Sequence, residues 1–323
     1  MKILILGGAG YIGTKAAEHF AKQDWVSDVW LADLKPSPLA GQAKIKTSLT
    51  DVRKPLTAPD LLAFKPDWIF NFAAVHREPG HEAHEYFDTN IAGAENTVAY
   101  AEQVGCNNLY FTSSISVYGP TNGPTDESKP YCPISPYGGS KFPAELIHKA
   151  WQSRDPANRK LVIVRPGVVY GPQDPGNIGR MISAIKKGYF AFPGSMNVKK
   201  SYAYVYGLVD SMVFTMNRPE KVIVYNYVET PTEELGTIAN IVKQKVGSKG
   251  PILSIPTSVL LPAAHLVQLV AGNKNPVHPT RVRKAGMATH IVPQTLLDMG
   301  FEFKYTFASS LDHWATIYPD DLR

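Results

Sequence analysis

Apolar residues along the first half of this chain come in short, nearly unbroken runs separated by mixed polar and apolar stretches. Residues 2–6 (Lys-Ile-Leu-Ile-Leu) have the composition of a strand buried on both faces. A glycine-rich turn follows, and residues 14–21 then read as a helix. A second apolar strand, residues 29–32, ends at Asp33, and residues 109–114 form another that ends in Thr112-Ser113-Ser114. Strands and helices alternate in this way to about residue 170, which predicts a doubly wound parallel sheet of the α/β class. Residues 174–201, rich in Gly, Pro and Lys, then leave the sheet. Residues 202–205 and Val222–Tyr227 read as strands with a helix over 208–216, and from residue 232 the pattern is helix, loop and helix. The expected division is a dinucleotide-binding domain of residues 1–173 and 202–231, with a smaller substrate lobe of residues 174–201 and 232–323. The most apolar stretch, residues 258–270, is shorter than the roughly 20 residues a bilayer span needs, and Pro262 and His265 interrupt it. It is expected to be a buried or amphipathic helix; the alternative is a membrane-surface helix receiving a lipid-linked or steroid substrate.

The glycine turn changes this picture from fold to chemistry. Gly7-Gly8-Ala9-Gly10-Tyr11-Ile12-Gly13 lies between a strand and a helix, the context that a Rossmann-type dinucleotide site requires. Gly7 suits the tight turn, Gly10 lets the backbone approach a pyrophosphate, and Gly13 lets helix and strand pack closely. Asp33, twenty residues past Gly13, ends the next strand. A carboxylate there accepts hydrogen bonds from ribose hydroxyls and repels a 2′-phosphate, which favours NAD over NADP.

The second chemical signal is Tyr137-Gly138-Gly139-Ser140-Lys141. Pro136 suits the first turn of a helix, which places Tyr137 and Lys141 on one face at i, i+4 spacing. A tyrosine with its ordinary pKa near ~10 is a poor base at neutral pH, and a neighbouring ammonium favours the phenolate. Ser114, at the carboxyl end of its strand, is expected to hold the substrate oxygen, since ligands of open α/β sheets bind at that edge.

With these motifs the chain resembles the extended short-chain dehydrogenase/reductases, in their NAD-dependent epimerase/dehydratase branch. Further matching stretches are Asp51-Val52, Asn71-Phe72-Ala73-Ala74, Asn90, residues 113–119 and residues 165–172. The resemblance implies a catalytic set of Tyr137, Lys141 and Ser114, with Ser116 as a second hydroxyl. It implies cofactor contacts from Gly7, Gly10, Tyr11, Ile12, Gly13, Asp33, Asp51, Val52, Ala73, Ala74, Asn90, Tyr137, Lys141 and Pro166. Dehydratases of this branch carry an acidic pair directly after the catalytic hydroxyl; here those positions are Ile115 and Ser116, which argues against dehydration. The resemblance therefore implies a nucleotide-sugar 4-epimerase working through a 4-keto sugar. A dehydrogenase or reductase of a 4-keto sugar or 3β-hydroxysteroid-like alcohol is the alternative, and a non-enzymatic dinucleotide sensor is a third reading.

Some positions depart from the family pattern. Val168 stands where UDP-hexose epimerases carry Asn, and Lys200-Ser201-Tyr202 where Arg-Asp-Tyr is usual. Lys200 meets a phosphate as a point charge, without the bidentate fork of Arg. Phe192 falls where an aromatic stacks on a nucleotide base; core packing is the alternative. His76 and Arg77 lie at the expected cleft, where Arg77 suits a phosphate or carboxylate unless it pairs with Glu78. Arg281 and Arg283 are further phosphate candidates against a plain surface role. His81, His84, Glu82 and Glu85 are read as a solvated helix face, so no metal is expected. The family's dimer packs the helix around residues 90–102 against the Tyr137 helix, which implies a homodimer. Pro143 should kink the second of these helices.

Composition narrows the setting. The 323 residues are 44% hydrophobic and 19% charged, with a formal net charge of +5. The mildly basic balance fits an anionic nucleotide substrate or, equally, solubility alone, and no dense Lys/Arg run suggests a nucleic-acid partner. The two cysteines, Cys106 and Cys132, have neither metal nor disulfide spacing. Because the chain opens directly on a core strand, a cytoplasmic location without a signal peptide is expected.

Overall fold

The apolar runs become the strands of one parallel sheet. The protein's structure is a computed structural model and describes residues 1–174, 176–188, 190–271 and 278–323. In chain order its first elements are β1 (Lys2–Leu6), α1 (Tyr11–Ala21), β2 (Asp28–Asp33), β3 (Ile45–Leu49), α2 (Pro59–Phe64), β4 (Trp68–Asn71), α3 (Ala83–Val104) and β5 (Asn108–Thr112). β6 (Thr121–Thr125), α4 (Pro136–Ser153), β7 (Lys160–Pro166), β8 (Val168–Tyr170), α5 (Asn177–Lys186), β9 (Phe190–Pro193), β10 (Tyr202–Tyr204), α6 (Val205–Met216) and β11 (Val222–Tyr227) follow. The remainder comprises α7 (Leu235–Lys245), β12 (Ile252–Ile255), α8 (Thr257–Ala271), α9 (Pro279–Gly286), β13 (Thr289–Ile291), α10 (Gln294–Asp298), α11 (Phe307–Ile317) and α12 (Pro319–Leu322).

Seven strands form the central sheet in the order β11-β7-β5-β4-β1-β2-β3, all parallel, with helices on both faces. This is the Rossmann-type α/β fold expected from the sequence. Strand periodicity explains why β1 is apolar throughout. Ile3 and Ile5 pack with Ala16, Phe20, Leu208 and Met212 on one face, while Leu4 and Leu6 meet Leu61, Ala94, Ala101 and Ala144 on the other. The chain reverses its direction of winding between β1 and β4, and the crevice at that carboxyl edge is where such sheets bind ligands. α4 continues through Pro143 to Ser153, so the proline forfeits one hydrogen bond without ending the helix.

The later residues build a second core around Tyr170, Ile182, Phe192, Tyr202, Ile238, Phe307 and Trp314. The two-stranded ribbons β10-β8 and β13-β6 tie it to the rest of the chain, and a third, β12-β9, lies within it. Beyond residue 232 the chain is more finely divided than the expected helix, loop and helix. α8 also departs from the expected burial. Val259, Leu266 and Leu269 are 60%, 65% and 83% exposed, and Ala264 is the residue it buries fully among those described. The helix lies on α9 along a narrow seam, which leaves most of its circumference uncovered. No helix of the described residues is long and apolar enough to cross a membrane.

Glu229, just after β11, sits in this second core at 4% exposure and accepts a 2.5 Å hydrogen bond from the Tyr170 hydroxyl. Burial pushes its pKa from 4.5 up to about 8, against the opposing effect of that hydrogen bond. The unfolded chain therefore releases this proton first. The stability of the protonated form is fully present below pH 4.5 and is lost as pH rises toward 8, by at most about 1.4 kcal/mol per pH unit. Urea titrations of Glu229→Gln across that window should show a flatter pH dependence than those of the parent.

Candidate active site

The glycine turn makes a cradle with no room for a side chain at Gly7, Gly8 or Gly13. Gly7 has φ +84° and donates its N–H to the Ala32 carbonyl at 2.8 Å. A Cβ on Gly13 would lie 2.3 Å from the Gly7 carbonyl oxygen, so α1 packs against the turn only because none is present. α1 starts at Tyr11 with Gly10 as N-cap, and no side chain caps its first turn. Those N–H groups and the helix dipole are suited to an anion. Asp33 accepts from Ala9 N at 3.0 Å and Lys35 N at 3.1 Å, and its oxygens keep lone pairs for further donors. Beneath the groove, Asn71 Oδ1 and Thr112 Oγ1 are buried with no partner among the described residues. A pyrophosphate-linked dinucleotide with ribose hydroxyls fits this donor and acceptor set. Gly13→Ala should lower NAD affinity about 10- to 100-fold through overpacking, measurable as cofactor retained after gel filtration.

Several other expected cofactor residues have structural partners. Tyr11 donates to the Pro172 carbonyl at 3.1 Å, and Ile12 packs against the sheet. Asp51 is held by Arg53, whose hydrogen bonds keep its carboxyl below the ordinary range. Val52 is core, while Ala73 and Ala74 line the half-buried segment after β4. Asn90 is a clip: it bonds both the N–H and the carbonyl of Val75, at 3.0 and 3.1 Å, and donates to Ser140 Oγ at 2.8 Å. Pro166 is buried at the end of β7.

Tyr137, Lys141 and Ser114 meet at the carboxyl end of β5. Lys141 Nζ donates to the Thr112 carbonyl at 2.8 Å and lies 6.0 Å from the centre of the Tyr137 ring. Ser114 lies close enough to the Tyr137 phenol to oppose its rise in pKa, and its hydroxyl donates to Ser116 Oγ at 3.1 Å. The expected lowering of the phenol does not appear in the protein alone. Burial pushes the Tyr137 pKa up to about 12, with Ser114 opposing, and pushes Lys141 down to about 7, with Glu145 opposing. Each group loses hydration in its charged form, and joint ionisation as phenolate and ammonium recovers part of that loss.

A buried network lies under this set. Arg165 grips Glu145 with two hydrogen bonds of 2.9 and 2.7 Å, and Ser113 and Tyr131 donate to the same carboxylate at 2.5 and 2.7 Å. Sequence reading missed Glu145, although it follows Lys141 by one helical turn on the same face.

Over the amino end of α4 lies a cleft of about 360 Å³ lined by Glu78, Tyr86, Ile134, Pro136, Arg283 and Lys284, among others. Glu78 accepts from Tyr137 N at 3.1 Å and pairs with Lys284, rather than with Arg77. Arg77 and His76 are exposed beside it, though enough protein surrounds the His76 ring for desolvation to lower its pKa. Arg283 is exposed on the cleft wall. Two substrate candidates stand elsewhere. Phe192 is 4% exposed and packs edge-on against Phe190, leaving no free face for a base. Lys200 is half-buried, its Nζ donating to the carbonyls of Lys284 and Met287, where it holds the end of α9; desolvation lowers it to about 8. Among the described residues, no group of three or more His, Cys, Asp or Glu is placed to hold a metal; His81 and His84 pair with Glu85 and Asp88.

A family model described as "NAD dependent epimerase/dehydratase family" matches residues 3–227. The N-acetyl-alpha-D-glucosaminyl-diphospho-ditrans,octacis-undecaprenol 4-epimerase of Escherichia coli O157:H7 is 29% identical over 96% of this chain and 93% of its own length. The UDP-glucose 4-epimerase of Lactobacillus helveticus is 31% identical over 55% of each chain. Among solved structures, MoeE5 in complex with UDP-glucose and NAD superposes with a TM-score of 0.77, at 20% identity over the full length of both chains. The UDP-glucose 4-epimerase of Thermotoga maritima has the same TM-score at 18% identity.

Proposed function

The chain belongs to the NAD-dependent epimerase/dehydratase family, and from that premise we propose that it inverts C4 of a hexose carried on a diphosphate, through a transient 4-keto sugar. The observation that carries the reading is the convergence of Tyr137, Lys141 and Ser114 at one sheet edge beside the glycine cradle, with Ile115 and Ser116 where a dehydratase needs acids. Residues 1–173 and 202–231 would hold the cofactor, and residues 174–201 and 232–323 the sugar carrier. Packing of α3 against α4 across two copies would make the homodimer.

Bound NAD supplies a hydride acceptor and donor at C4. Ser114 fixes the C4 oxygen by a hydrogen bond, and Tyr137 takes the hydroxyl proton as the C–H bond breaks. Lys141, anchored to the Thr112 carbonyl, favours the phenolate by its charge. After the 4-keto sugar turns over in the pocket, Tyr137 returns the proton to the same oxygen. Protons and electrons balance within one cycle, so no cofactor is consumed.

The carrier in the first reading is a nucleotide. A polyprenyl diphosphate is the second, favoured because the undecaprenol-linked relative is 29% identical over 96% of this chain. Incubation of the purified protein, without added cofactor, with UDP-hexoses and polyprenyl-diphosphate N-acetylhexosamines tests both by NMR of the sugar protons. A growing C4-epimer signal is the expected result and identifies the carrier. Turnover only on addition of NADH or NADPH and a 4-keto sugar would replace epimerisation by reduction.

A further inference from the structure

Residues 235–297 contain seven lysines and arginines and no aspartate or glutamate, although the whole chain has a net charge of only +5. The rest of the chain is therefore net acidic, and all of the positive excess lies in this one stretch. At its centre is α8, which carries no charged residue and turns apolar side chains to solvent. Val259, Leu266, Val267 and Leu269 are exposed, and Leu253 on the adjoining β12 is 53% exposed. Exposed apolar side chains at this density mark a surface that something else covers.

We propose that α8 docks this protein on an anionic phospholipid surface, lying in the plane of the bilayer. Three observations select this occupant. At 15 residues the helix is about 22 Å long, too short to span a bilayer but suited to lie in the headgroup region. Its surroundings are basic: Lys249 precedes β12 and is exposed, and Arg283 is exposed on α9, the helix against which α8 rests. No carboxylate interrupts that stretch, so an anionic surface meets only attraction from it. The same α9 lines the cleft above Tyr137 through Thr280, Arg283 and Lys284, so docking through α8 brings the cleft wall close to the headgroups. Such placement gives access to a sugar whose diphosphate is anchored in the membrane. The docking itself does not depend on the epimerase reading.

Sedimentation with vesicles tests it on the full chain. The wild-type protein should bind vesicles of phosphatidylcholine mixed with phosphatidylglycerol more tightly than vesicles of phosphatidylcholine alone, and the preference should shrink with added salt. The double substitution Leu266→Glu and Leu269→Glu alters only exposed side chains and should weaken binding about tenfold or more. Its circular dichroism and retained NAD should match the parent. A Tyr137→Phe protein should bind vesicles normally, which separates docking from catalysis. Absence of wild-type binding to either vesicle, or equal binding by the double variant, would overturn the proposal. So would a concentration-dependent dimer abolished by the same pair of substitutions without vesicle binding, which would assign the face to a second copy of the chain.

Discussion

Tyr137→Phe is expected to lower turnover by about 10²- to 10⁴-fold, the usual contribution of a positioned proton-transfer group. The loss should fall on kcat, because the phenol hydroxyl is the only atom removed and the ring stays packed near Tyr86. NAD content should be unchanged, since the cradle is built from backbone at Gly7 and Gly13 and not from the phenol hydroxyl. Stopped assays on C4 epimerisation, paired with cofactor quantification, read both quantities. Intact turnover would remove Tyr137 from the mechanism. The pH profile carries a second signature. Lys141, held down to about 7 by burial, supports the phenolate only while it is protonated, so that support fades as pH rises through neutrality.

The largest stability effect is expected from breaking the Glu145–Arg165 pair. Both side chains are almost completely buried, at 0% and 2% exposure, and the carboxylate accepts from four donor groups. Glu145→Ala leaves the guanidinium buried without its counter-charge and should cost about 3–5 kcal/mol, seen as a lower urea midpoint. Burial alone would raise the Glu145 pKa, but the Arg165 hydrogen bonds outweigh it and the net shift is downward. Its stabilisation is thus present above the unfolded carboxyl value of 4.5 and is lost as pH falls through the lower folded one. Glu145→Gln retains the shape while removing the charge that holds up the Lys141 pKa. The limb of the activity profile set by Lys141 should therefore move to lower pH, a shift that lost packing alone would not produce.

The parts of the protein visible in the sequence are those specified over short distances. A buried parallel strand must be apolar on both faces, so β1 announces itself in five residues. The glycine turn and α1 follow it directly, and Tyr137 and Lys141 are neighbours because a helix repeats every 3.6 residues. The gathering of Ser114 with Tyr137 follows from the same alternation, since a parallel doubly wound sheet brings its strand ends to one edge.

Residue identity says less where a partner comes from far along the chain. Lys200 reads as a phosphate ligand, but the end of α9, more than 80 residues later, gives it two carbonyls and covers part of it. Phe192 reads equally as a base-stacking platform or as core, and the packing of the second lobe made it core. Glu78 is tied to Lys284 across 206 residues, a contact that no local pattern announces. α8 is the sharpest case. Its apolar composition was plain, but whether apolar means buried depends on what is packed against it, and here one narrow seam on α9 leaves the rest in solvent. Sequence alone determined the sheet, the cradle and the placing of Tyr137 and Lys141 on one helix face, because hydrogen bonding and side-chain periodicity act between near neighbours. Tertiary structure decided burial and charge pairing, because desolvation and Coulomb attraction depend on distance in space, not along the chain.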